Sequence, residues 1–186
     1  MDGEWTVEID ILRRADVSIR EGLASRELSA LEEHLGVRLP PDLASFLSEV
    51  LPTGERFPNW RALETPELQD QLTWPFRGIA FDIEHNAFWW PTWGLRPAEL
   101  REAIAVAYEK LASEPRLVPV FAHRYLPAEP HESGNPVLSV YQTDIIYYGS
   151  NLRTYIAHEF GNLAHREATA EPFRRIRFWS DLIETN

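Results

Sequence analysis

The sequence holds no cysteine, one methionine and a single lysine, Lys110, against 17 arginines. Without cysteine there is no disulfide, no thiolate metal site and no thiol nucleophile, which suits a reducing compartment. No run approaches the ~18 uninterrupted apolar residues that would span a bilayer, and no basic-then-apolar leader opens the chain. The expectation is a cytoplasmic protein, away from membranes. Also lacking are a Gly-x-Ser-x-Gly elbow, a glycine-rich phosphate loop, an internal repeat and a linker long enough to divide domains. Positive charge is short too: 18 basic side chains face 29 acidic ones, a net of −11. Nucleic-acid binding leans on neutralising phosphates, so this balance argues against DNA or RNA as a partner. The excess is uneven, with 20 acidic and 11 basic residues in 1–110 against 9 and 7 in 111–186. Solubility alone accounts for such a surface; so does a basic protein partner, whose approach an acidic field speeds.

Apolar residues make up 44% of the 186 positions, with seven Trp, nine Phe and six Tyr. That is enough for one domain spanning residues 1–186, burying roughly 70% of the surface its unfolded chain would expose. Trp5, Val7, Ile9 and Ile11 alternate as a strand would, whereas Trp5, Ile9 and Leu12 share a helical face; Arg13-Arg14-Ala15 favour the helix. A short strand or extended link follows at 17–19. Leu28, Leu31 and Leu35 predict a helix from Ser25 to Gly36. Pro41 and Asp42 open another, with Leu43, Phe46, Leu47 and Val50 inward and Pro52-Thr53-Gly54 as its stop. A short helix starts at Thr65-Pro66 and ends near Leu72. Gly78 to Ile83 reads as a strand with Asp82 and Glu84 on its polar face, and 88–90 as its neighbour. Pro97 begins a helix to Leu111 whose core face carries Leu100, Ile104, Ala107, Tyr108 and Leu111. Leu117 to Phe121 is a strand that Pro119 assigns to an edge or a bulge. An irregular loop covers 127–136, and a last helix covers 173–183.

The most informative stretch is Gly134 to Phe160. Pro136 biases Asn135 away from helix. The runs 137–141 and 145–148 flank a polar bend, Gln142-Thr143-Asp144, and read as a hairpin. A helix then carries Leu152, Tyr155, Ile156, Phe160 and Leu163 on its core face, with Ser150 or Asn151 as cap and Gly161 as stop. Helices and antiparallel strands in blocks give an α+β fold, a sheet with helices packed against it.

Catalytic chemistry finds little support. His158-Glu159 begins like a zinc-protease helix, but Asn162 stands where the second His is needed and His165 lies too far along a helix. Asp82 and Glu84 read as solvent-facing carboxylates. Trp60, Trp74, Trp89, Trp90 and Trp93 invite a sugar- or base-stacking reading; packing in the core is simpler, because neighbours on a strand point to opposite faces. His123 and Arg124 precede the long loop, and Asn135, Gln142 and Asp144 bracket the hairpin. A cation between strands and a carboxylate at a bend would brace loop and hairpin. The alternative is a polar groove for a partner segment, which makes Asp82, Glu84, His123, Arg124, Asn135 and Asp144 the candidate partner-binding set. No catalytic, metal-ligating or cofactor-binding residue is expected.

The order GNPV-x-SV-x-QTDIIYYG-x-x-L-x-x-Y-x-x-x-EF resembles the C-terminal core of the SUKH superfamily, built around fungal cell-wall-synthesis regulators and many bacterial homologues. LEEHLGVRLPPDLASFL, Leu31 to Leu47, is similar to that family's entry helices, and FPNWR, WWPTWGLRP and LVPVFAHRYLP resemble its bacterial branch. The similarity covers residues 28–160. It implies a SUKH-like domain acting as an immunity protein of a polymorphic toxin system, which neutralises a basic toxin domain by binding it. A regulatory scaffold like the fungal members, or a carbohydrate or small-ligand binder using the Trp cluster, are the alternatives.

Overall fold

A four-stranded antiparallel meander divides the interior into two apolar layers. The computed structural model describes residues 3–170 and 172–185. In chain order these form α1 (Thr6–Arg14), β1 (Ser18–Glu21), α2 (Ser25–Leu35), α3 (Pro41–Glu49), β2 (Val50–Thr53), α4 (Pro66–His85), a 3-10 turn (Pro91–Trp93) and α5 (Leu100–Leu111). Then follow β3 (Leu117–Phe121), β4 (Arg124–Pro127), β5 (Val137–Tyr141), β6 (Asp144–Gly149), α6 (Leu152–Glu159), α7 (His165–Ala168) and α8 (Trp179–Thr185). This is the expected α+β architecture.

Alternation along the strands fills both layers. Val118, Leu126 and Val137 point into the first, which α1, α2, α3, the β1–β2 pair and α6 complete. Tyr125, Leu138, Val140 and Ile145 point into the second, under α4, α5 and α8. The two runs pair as the expected hairpin, in a register that sets Val140 opposite Ile145 and Tyr141 opposite Asp144. Pro119 lies on the edge strand β3, where the register slips between Pro119 and Phe121. At the chain start the helix wins: Trp5 and Leu12 are buried while Val7 faces solvent. Arg153 of α6 pins that helix, donating to the Glu8 carboxylate at 2.8 Å and lying 4.0 Å over the Trp5 ring. Gly36 closes α2 at φ +63°, a left-handed turn that costs glycine little.

Several elements depart from expectation. Gly78 to Ile83 is not a strand, and 88–90 is not its neighbour: α4 runs 20 residues, straight through Pro75. Its buried members Leu68, Pro75, Ile79 and Ile83 recur at helical spacing on one face. A mid-helix proline normally orphans the carbonyl four residues back. Here that carbonyl, on Gln71, accepts from the Tyr125 hydroxyl at 2.7 Å. Helix α3 stops before Pro52, because Val50 turns extended and starts the strand that pairs with β1. Helix α5 begins at Leu100, and Ala103 and Ala107 form its buried face; Leu100 and Tyr108 project outward. Leu163 lies beyond the end of α6, half-buried. The last helix covers only 179–185. Phe178, at φ +65°, breaks any helix from Phe173, and the Ser180 hydroxyl takes up the free N–H of Ile176 at 2.8 Å.

Candidate functional site

The six candidate residues fall into three places. Asp82 sits on the buried side of α4, 3% exposed, and accepts from the Thr143 amide at 2.8 Å, the Thr143 hydroxyl at 2.7 Å and the Asn86 side chain at 2.6 Å. A carboxylate with that many donors ties α4 to the β5–β6 turn. The expectation of a solvent-facing acid on a strand is therefore corrected: helical periodicity turns Asp82 inward and leaves Glu84 exposed beside His85. Asp144, next to Thr143, is exposed at the same turn.

His123 and Arg124 form the second place, at the β3–β4 turn. Arg124 is buried; it donates to the Ser139 hydroxyl at 3.1 Å, lies 3.8 Å over the Tyr148 ring and pairs with Glu159 at 3.5 Å. That spacing is long for a hydrogen bond, and Arg124 Nε, Glu159 Oε2 and the Tyr155 hydroxyl have no hydrogen-bond partner among the described residues. Burial, the Glu159 charge and the Tyr148 hydroxyl push the Tyr155 phenol well above its ordinary range, against the opposing pull of Arg124 and Arg56. Burial first, then the charges of Arg124 and Arg56, lower the pKa of His123. Asn135 is the third place, at the far end of β5. Fully buried, it donates to the carbonyls of Pro127 and Pro130 and accepts from Arg174 at 2.8 Å, stapling the long loop. The bracing role is thus filled by Asp82, Arg124 and Asn135, and the six do not line one groove.

One other reading holds and one changes. Trp60 and Trp93 are buried, Trp93 packing edge-on to Trp89 at 5.3 Å and stacking on Phe178 at 6.1 Å. The cluster at 89–93 thus belongs mostly to the second core layer. His165 is not two turns along a helix from His158: α6 ends first, and α7 folds back to set the two rings 5.2 Å apart against Tyr148. Among the described residues, no group of three or more His, Cys, Asp or Glu is arranged to hold a metal ion, and no helix is long and apolar enough to cross a membrane.

The surface that sequence reasoning missed surrounds the β5–β6 turn. Trp74, Phe81 and Tyr141 are 36%, 44% and 55% exposed and lie together as one aromatic patch. Trp74 and Phe81, seven residues apart, share a solvent-facing stripe of α4, and Tyr141 approaches Trp74 ring to ring at 6.2 Å. The platform is fixed from beneath. The Trp74 indole N–H donates to the Val140 carbonyl at 3.0 Å. Gly78 lets helix and turn meet, since a Cβ there would stand 2.7 Å from Gln142 Cα. Seven-residue recurrence of aromatics was the available signal; reading α4 as a strand hid it.

No protein-family model, curated protein or solved structure matches the chain.

Proposed function

We infer that the chain is a non-enzymatic protein-binding module of the immunity type, which neutralises a basic toxin domain by occluding it. The observation that carries this reading is the exposed aromatic surface at the β5–β6 turn, fixed in place by the Asp82 clamp. Large, rigid aromatics presented to solvent are what protein interfaces use as anchors. Acids stand around it: Asp70 and Glu84 on α4 and Asp144 at the turn, all exposed. Together with the net charge of −11, they favour a basic partner over an acidic one. The similarity of residues 28–160 to the SUKH superfamily points the same way. A sugar-stacking platform is less favoured, since most of the Trp cluster is packed inside.

The decisive experiment is stopped-flow association with the toxin-like product of a neighbouring reading frame, without metal or nucleotide, across several ionic strengths. The rate falls steeply with salt, because steering is screened over a Debye length of about 8–10 Å. Glu84→Lys or Asp144→Lys slows association and shifts stability by no more than about 0.5 kcal/mol. A salt-independent rate removes steering from the account. Metal-dependent turnover by the purified protein replaces the reading altogether.

A further inference from the structure

A side-chain-sized groove opens between the exposed stripe of α4 and the β5–β6 turn. Trp74, Arg77, Phe81, Tyr141 and Gln142 wall it, Gly78 lies at its floor, and its volume is about 140 Å³. A cavity of about 10–15 Å³ on this measure already admits a water, so the groove has room for the flat end of a side chain. Three walls are aromatic. The one basic side chain lining the groove, Arg77, is engaged by Asp70 at 2.7 Å.

We propose that this groove receives an arginine side chain from the basic partner, an assignment that rests on the binding-protein reading above. Aromatic faces carry negative electrostatic potential, which attracts a cation laid over them. A flat, weakly hydrated guanidinium fits between rings better than the compact, strongly hydrated ammonium of lysine. Among the described residues the same pairing occurs three times: Arg124 over Tyr148 at 3.8 Å, Arg153 over Trp5 at 4.0 Å and Arg56 over Phe121 at 4.6 Å. Glu84 and Asp144 supply negative charge around the opening, the charge of Asp70 being taken up by Arg77. The Trp74 N–H is already spent on Val140, so that ring offers an incoming group its face rather than a hydrogen bond. With the turn held by Asp82 and Gly78 in close contact, the groove binds without reorganising, which lowers the cost of docking.

The test uses the full chain, labelled with nitrogen-15, and a blocked Gly-Arg-Gly-Arg-Gly peptide, with citrulline and lysine versions as controls. The arginine peptide produces saturable shifts confined to the Trp74 indole N–H and the backbone amides of 77–81 and 141–143. The citrulline peptide produces none, and the lysine peptide binds more weakly. Tyr141→Ala lowers the affinity for the arginine peptide and for the toxin by about tenfold, with an unchanged melting temperature. Shifts scattered over the acidic surface, or an equal response to citrulline, overturn the proposal. So does equal neutralisation of the toxin by wild type and Tyr141→Ala, a result that leaves the binding-protein reading standing. Failure of the wild type to bind any toxin sinks that reading instead, while the peptide titration still decides whether the groove takes arginine.

Discussion

Two buried polar devices hold the four-stranded sheet to its surroundings, and they are built differently. At the β5–β6 turn, the Asp82 carboxylate is met by three neutral donors between 2.6 and 2.8 Å, and the device joins α4 to the hairpin. At the other, Arg124 faces Glu159 at 3.5 Å, and polar atoms of Arg124, Glu159 and Tyr155 have no hydrogen-bond partner among the described residues. A carboxylate surrounded by well-placed donors recovers its desolvation cost and becomes a clamp. A partly satisfied ion pair barely offsets its own burial, and contributes orientation more than stability. The stiff device lies under the aromatic groove, where a docking surface needs support.

Removing the carboxylate gives the largest expected effect. Asp82→Ala removes the acceptor shared by the Thr143 amide, the Thr143 hydroxyl and Asn86, and with it charge-assisted bonds worth about 1.5–3 kcal/mol each. Chemical denaturation should show a loss of about 4–5 kcal/mol, three such bonds at the lower figure. A loss below about 1 kcal/mol would erase the contrast between the devices. The Arg124–Glu159 pair sharpens it. Glu159→Leu alone leaves a buried guanidinium without its partner and costs about 3 kcal/mol, whereas Arg124→Met with Glu159→Leu returns to within about 1 kcal/mol of wild type. A double mutant as unstable as the single one would show that Arg124 acts through Ser139 and Tyr148 rather than through Glu159.

The smallest effects appear in pH. His123 is harder to protonate in the fold than in the unfolded chain, where it titrates near 6.5. Its contribution is therefore full above pH 6.5 and declines as pH falls below that value toward the lowered folded pKa. Far from both devices, the Arg61 side-chain bond and then the Ala24 amide hold the Glu27 carboxyl at about 2 instead of 4.5. That contribution is full above pH 4.5 and is lost as pH falls through 2. Denaturation midpoints measured from pH 7.5 to 2 should decline in two separate windows. His123→Asn should flatten only the upper one, and Arg61→Ala only the lower.

What was legible in the chain was local. The hairpin followed from two β-rich runs around a polar bend, and α2 from leucines at helical spacing before Gly36. Only the start of helix α4, to Leu72, was legible, because Pro75 and Gly78 are both residues that break helices. Their penalties are cancelled from afar: the Tyr125 hydroxyl, 54 residues from Gln71, takes the orphaned carbonyl, and the Gln142 backbone needs the bare glycine. Once α4 was lost, so was the inward turn of Asp82, whose partner Thr143 lies 61 residues on. The groove disappeared with it, since Trp74 and Phe81 share a face only on a helix. Among the six candidates, Arg124 is the cation between strands that the sequence suggested, but the carboxylate it meets is Glu159 and not Asp144, which is exposed at the turn.

The contact between Arg153 and the first helix also has a consequence for synthesis. Helix α1 is nine residues long, too short to persist alone in water. Its anchors on Arg153 lie 145 and 149 residues further along, at Glu8 and Glu4. At a translation rate of about 5–20 residues per second, α1 waits on the order of ten seconds for that arginine to be made. During that interval Trp5 has no guanidinium to cover it, and α2, α3 and the β1–β2 pair emerge first. Until then α1 leans on α3, through the Trp5 indole on Ser45 and the Glu4 and Trp5 amides on Glu49, and the arrival of Arg153 couples α1 to α6 in a later step.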